Sequence, residues 1–132
     1  MEMQNLWPDF AIEPTKSPKA ILKEQAGYLM AKTNNVLSAD VDTSTYQNNL
    51  IHKFYVVAPA MNNYRFEVFY IVHKIINFYP LSIYWYPEEN DPYKESIEIN
   101  SDEELINALR KIFNAPTTVK IISSLLSQSL AE

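Results

Sequence analysis

Residues 46–86 read YQNNLIHKFYVVAPAMNNYRFEVFYIVHKIINFYPLSIYWY, and the composition of this stretch decides the fold. Most of the chain's tyrosine and phenylalanine lies here, mixed with Val, Ile and Leu and interrupted by Asn and Pro. Aromatic and β-branched side chains suit a pleated, half-buried surface, so the stretch predicts the central strands of a sheet. The first runs over 50–58 and stops at Pro59. The second covers 64–74. The third covers 81–86, entered through Tyr79-Pro80 and ended by Pro87. In the second, strict alternation places Tyr64, Phe66, Val68, Tyr70 and Val72 on one face and Arg65, Glu67, Phe69, Ile71 and His73 on the other. The short connections require antiparallel neighbours.

Working outward, residues 36–45 alternate Leu37, Ala39 and Val41 with Ser38, Asp40 and Asp42, the pattern of a strand wet on one side and near an edge. A short further strand is expected at 96–99. Helices flank the strands. Ser17 is a good N-cap and Pro18 suits the first helical position; Ile21, Leu22, Gln25, Ala26, Leu29 and Met30 then form one stripe. Gly27 in mid-helix costs about 1 kcal/mol relative to alanine, which implies close packing against the sheet. Ser101-Asp102-Glu103-Glu104 is a capping box whose acids complement the helix dipole. After the break at Asn114-Ala115-Pro116, a last helix to about residue 130 presents Val119, Ile122, Leu126 and Leu130. The expected fold is α+β: one domain over 1–132, with an antiparallel meander of four to five strands packed on one face by one N-terminal helix and two C-terminal helices. Residues 1–16 form an extended arm that Trp7 and Phe10 are expected to pin to the body.

Gly27 is the only glycine, while asparagine pairs stand at 34–35, 48–49 and 62–63. Asparagine tolerates positive φ and hydrogen-bonds its own backbone, so the pairs mark turns.

Composition excludes more than it assigns. The net charge of −5 argues against nucleic acid, whose binding is driven by Lys and Arg. The chain has no cysteine, which removes disulfides, thiolate metal sites and a cysteine nucleophile together. No apolar run approaches the roughly 18 residues of a membrane helix, and the start lacks the basic and apolar regions of a secretory signal. A bacterial-type cytoplasmic protein without membrane attachment is the expectation. No cofactor is implied, since the one glycine lies within a helix and no phosphate loop can form.

Three groups of residues are candidates for function. His52 and His73 stand on strands expected to pair, which would let them approach across the sheet, but no HxH or HExxH spacing accompanies them. Half-buried or surface strand histidines are expected, with no metal site. Second, eight acids lie between Glu88 and Glu104 against Lys94 alone. A solvated face and an electronegative patch that steers a basic partner are both open readings. Third, Tyr84 and Tyr86 alternate with Trp85 beside Tyr93, and Tyr and Trp are the usual interface anchors. No catalytic residue emerges: the C-terminal serines and threonines lack a nearby histidine and a GxSxG turn.

In size, acidity and helix-plus-meander order the chain resembles small standalone bacterial proteins that bind another protein, toxin-neutralising immunity proteins among them. The leading expectation is therefore a non-enzymatic protein-binding module. It would use Tyr84, Tyr86, Glu88, Glu89, Asp91, Tyr93 and Glu95 against a partner with a basic surface. The alternatives are a small-ligand protein or modest enzyme with a pocket between sheet and helices lined by Tyr64, Tyr70 and Trp85, and a structural homodimer paired through an edge strand.

Overall fold

The computed structural model describes residues 3–87 and 94–131. Helix α1 (Pro18–Lys32) is followed by strands β1 (Ser38–Tyr46), β2 (Asn49–Ala58), β3 (Tyr64–Lys74), β4 (Leu81–Trp85) and β5 (Glu95–Ile99), then by α2 (Asp102–Phe113) and α3 (Pro116–Ala131). The five strands form one antiparallel sheet in the order β1-β2-β3-β4-β5, so the chain is an α+β fold with a meander. The three helices pack on one face.

Local chemistry sets the boundaries. The Ser17 hydroxyl accepts from the Ala20 N–H at 3.1 Å, and the Ser101 hydroxyl accepts from the Glu104 N–H at 3.2 Å. The Glu104 carboxylate reaches back to the Asn100 N–H at 2.7 Å, closing the capping box one residue further out than the usual pattern. Turns fall where asparagine was expected: Asn34, Asn35, Asn62 and Asn63 all have positive φ, and Gln47 does the same before Asn48 in the β1–β2 hairpin.

A bulge in β3 governs which side chains face the helices. Phe54 pairs with Phe69 and Tyr55 with Glu67, so Val68 is the extra residue and the register shifts there. An inserted residue breaks the two-residue period. Strict alternation over 64–74 therefore fails. Tyr64, Phe66 and Val68 share the helix-covered face with Phe69, Ile71 and His73, while Tyr70 and Val72 turn to the opposite face. The core forms between that covered face and the helices around Leu22, Phe54, Phe69, Ile71, Ile83, Leu105 and Ile112, all at most 2% exposed.

Three further expectations are corrected. Trp7 and Phe10 do not pin the arm, because they are 76% and 77% exposed and pack against each other with ring centroids 6.1 Å apart. The buried stripe of α3 runs through Thr118, Leu125 and Ser129, with Ile121, Ile122 and Leu126 partly covered, while Val119 and Leu130 face outward. The apolar arc of this helix is about half its circumference wide, with Val119 and Leu130 at one edge, and Thr118 and Ser129 fall near its middle, so sequence spacing alone did not fix its rotation. Gly27 does not pack on the sheet either. A Cβ added there meets nothing within 4 Å, and its φ is not positive. Gly27→Ala should therefore raise stability by about 0.5–1 kcal/mol through helix propensity; a chemical denaturation midpoint that fails to rise would show a constraint on this glycine.

Candidate functional site

The face of the sheet turned away from the helices carries the aromatic candidates. Tyr70 and Tyr84 pair across β3 and β4 and stack with centroids 4.9 Å apart and planes 18° from parallel. Lys94 donates to the Tyr70 hydroxyl at 3.1 Å, and its ammonium lies 4.7 Å from the Tyr70 ring and 5.8 Å from the Tyr86 ring. The hydrogen bond to Tyr70 holds the Lys94 ammonium above its usual pKa. Toward β1 the same arrangement recurs. The Arg65 guanidinium sits 4.0 Å from the Tyr55 ring centroid and bonds Asp42 at 2.8 Å, with Asp40 at 3.8 Å. Lys53 and Glu67 pair at 3.9 Å between these two groups. Among the described residues no helix covers this face.

The structure thus places Tyr84 and Tyr86 close together, joined through Lys94. Glu95 stands apart from them: it pairs with Trp85 on the helix-covered side of the sheet and meets Lys111 of α2 at 3.8 Å. Glu88, Glu89, Asp91 and Tyr93 lie outside the described residues. The trio Tyr64, Tyr70 and Trp85 lines no common pocket. Trp85 pairs with Phe69 and is 3% exposed under the helices, Tyr64 is 49% exposed at the far end of β3, and the bulge sends Tyr70 to the opposite face.

A cleft does open between sheet and helices, but other residues line it. Leu29 of α1, Phe54 and Val56 of β2, Val68 of β3, Phe113 of α2 and Ile122 of α3 enclose a volume of about 380 Å³. Such a volume falls within the range typical of ligand-sized pockets. Two of its lining rings rest on a third, buried one: Phe54 stacks on Phe69 at 5.2 Å, and Phe113 tilts against both at 5.5 and 5.9 Å. Tyr28 and Ile106 stand exposed at the rim with Lys32 and Arg110, and among the described lining residues there is no acid. The sequence carried no mark of this cleft, since its walls come from five elements and become neighbours only through helix packing.

The histidines meet as well, and they are buried rather than half-exposed: His52 is 2% and His73 4% exposed. His73 Nδ1 lies 2.8 Å from the Lys74 carbonyl oxygen and 2.9 Å from that of Asn77. Carbonyls only accept, so this nitrogen carries the proton and His73 Nε2 is an acceptor. His52 Nε2 therefore donates to it at 2.9 Å, and His52 Nδ1 accepts from the Thr43 hydroxyl at 3.0 Å. The network assigns one tautomer to each ring and satisfies both in the neutral state. Burial pushes the His52 pKa down to about 4, with the neighbouring His73 and Lys19 acting in the same direction. A tetrahedral bridging zinc would hold two imidazole nitrogens about 3.3 Å apart, whereas these are 2.9 Å apart and hydrogen-bonded to each other. Enclosed on every side, the pair has no access to substrate. It works as a polar fastener between β1, β2, β3 and the loop that follows.

Comparison with known proteins gives no family. No family model matches the chain, and no match is found among curated proteins or solved structures. Function must therefore be argued from the chemistry of these surfaces. Among the described residues no group of three potential metal ligands occurs, and no helix is long and apolar enough to cross a membrane.

Proposed function

We propose that the protein is a non-enzymatic protein-binding module whose docking surface is the uncovered face of the sheet centred on Tyr84 and Tyr86. The carrying observation is the stacked Tyr70–Tyr84 pair bridged by Lys94 to Tyr86 on a face that no helix covers. Tyrosines already held in place by their neighbours give large contact area at little further cost in conformational freedom, which is why tyrosine recurs among interface anchors. Specificity would come from charge. Glu88, Glu89 and Asp91 follow β4 in the sequence, and with a net charge of −5 they favour a partner that presents a basic surface. The absence of cysteine agrees with a cytoplasmic setting.

Capture of partners by tagged protein at low and high salt tests the reading, with a Tyr84→Ala/Tyr86→Ala variant run in parallel. Wild type should retain a stoichiometric basic partner that high salt releases, and the variant should bind at least about tenfold more weakly, as expected when anchor residues are truncated. Charge reversal of Glu88, Glu89 and Asp91 should slow association. A complex indifferent to salt, to the tyrosine substitutions and to the charge reversals would refute the assignment.

A further inference from the structure

Two features of the fold have no partner among the described residues. One is the arm: Leu6, Trp7, Phe10 and Ile12 are 76–96% exposed, an unusual concentration of apolar surface for one short segment. Its two aromatic rings lie side by side with Asp9 between them in sequence. The other is the cleft between α1 and α2, apolar below and rimmed by Lys32 and Arg110 with no described acid among its lining. Arg110 hydrogen-bonds to Asn107, and among the described residues neither cation is ion-paired.

We propose that this cleft receives the N-terminal arm of a second copy of the chain, with Trp7 and Phe10 on the apolar floor and Asp9 at the Lys32–Arg110 rim. The two copies then exchange arms about a two-fold axis, a closed arrangement in which each supplies both halves of the contact. Trp and Phe each bury about 150–250 Å². Two arms, once Leu6 and Ile12 are included, approach the roughly 1,200 Å² at which specific interfaces begin.

Geometry argues for exchange over folding back. Glu13 and Thr15 border a depression shared with Ile76, Asn77, Phe78 and Tyr79, beside the β3–β4 connection. Phe10 lies three positions before Glu13, a reach of at most about 11 Å. That depression lies past the Lys74 end of β3, whereas the cleft meets β3 at Val68, and the six residues from Val68 to Lys74 span roughly 20 Å of strand. With Glu13 and Thr15 in place, the chain's own Phe10 falls short, while the arm of another copy is under no such limit.

The full-length chain, 15.3 kDa as a monomer, is examined by sedimentation equilibrium from micromolar to near-millimolar concentration. Wild type should reach twice the monomer mass, and its Trp7 emission should shift to the blue as it does so. Trp7→Ala/Phe10→Ala, which alters only exposed side chains, should weaken dimerisation at least 100-fold. Arg110→Glu should also weaken it, and adding Asp9→Lys to Arg110→Glu should recover most of the loss, a reversal that no general damage to the fold would produce. A wild-type chain that stays monomeric throughout would overturn the proposal, whether Trp7 is wet or buried. A dimer untouched by the arm substitutions would overturn it equally, since the contact would then lie elsewhere.

Discussion

Lowering the pH from 7.5 to 5 should remove about 2 kcal/mol of folding stability through His52 alone. The native pKa near 4 lies below the ordinary value of about 6.5 that the unfolded chain shows. Between these values the unfolded state binds the proton and the native state does not. Stability is therefore complete above pH 6.5 and declines as the pH falls toward 4, where the contribution is spent. At about 1.36 kcal/mol per pKa unit the full effect is roughly 3 kcal/mol, of which the larger share is lost by pH 5. Side-chain carboxylates ordinarily titrate lower, so His52 dominates this window. Urea melts at pH 7.5, 6.5, 5.5 and 5 would show the decline. His52→Gln should be less stable than wild type at pH 7.5 yet show a shallower slope, because it removes the titrating group. A wild-type curve flat over this range would refute the account of His52 as neutral in the native state.

Phe69→Ala should cost about 3–5 kcal/mol, the usual range for emptying a buried phenylalanine site. Phe69 is 1% exposed, stacks on Phe54 with planes 9° apart and meets Phe113 of α2. The cavity would open where β2, β3 and α2 join, with little freedom for the sheet to close over it. Ring–ring contacts add about 0.5–1.5 kcal/mol per pair beyond area burial. A double-mutant cycle with Phe113→Leu should return a coupling of that size. A loss below about 1 kcal/mol in Phe69→Ala would mean that the triad is not the centre of the core.

The architecture was legible because several local signals agree with it. Ser17-Pro18 and Ser101 open helices where expected, Pro59 and Pro87 close strands, and asparagines mark the turns. What was hidden depended on contacts between elements. The bulge at Val68 inverts the faces of β3 midway, and no residue type announces it, since Glu67-Val68-Phe69 reads as unbroken strand. That shift put Tyr70 on the face away from Tyr64 and Trp85, and the walls of the cleft come from several elements. The histidine contact was foreseeable from strand pairing, but its burial followed from helices whose rotation the sequence left open. In α3 the apolar arc is broad, so which part of it became the buried stripe was decided by packing. The arm misled for a different reason: aromatic residues near a terminus read equally well as anchors to the body and as surface offered outward.

Among the described residues five occupy left-handed backbone geometry, and none of them is glycine. Glycine would adopt these angles without strain, but it would also enlarge the set of conformations that the disordered chain explores and that folding must give up. Asparagine reverses the balance. It accepts some native strain at Asn34, Asn35, Asn62 and Asn63, eased by its short polar side chain, and in return leaves the denatured ensemble narrower by about 0.4–1 kcal/mol of entropy per site. The hinges of this meander are thus stiffened before the chain folds, and the two ends of β2 are turned by residues that bias the chain toward bending there.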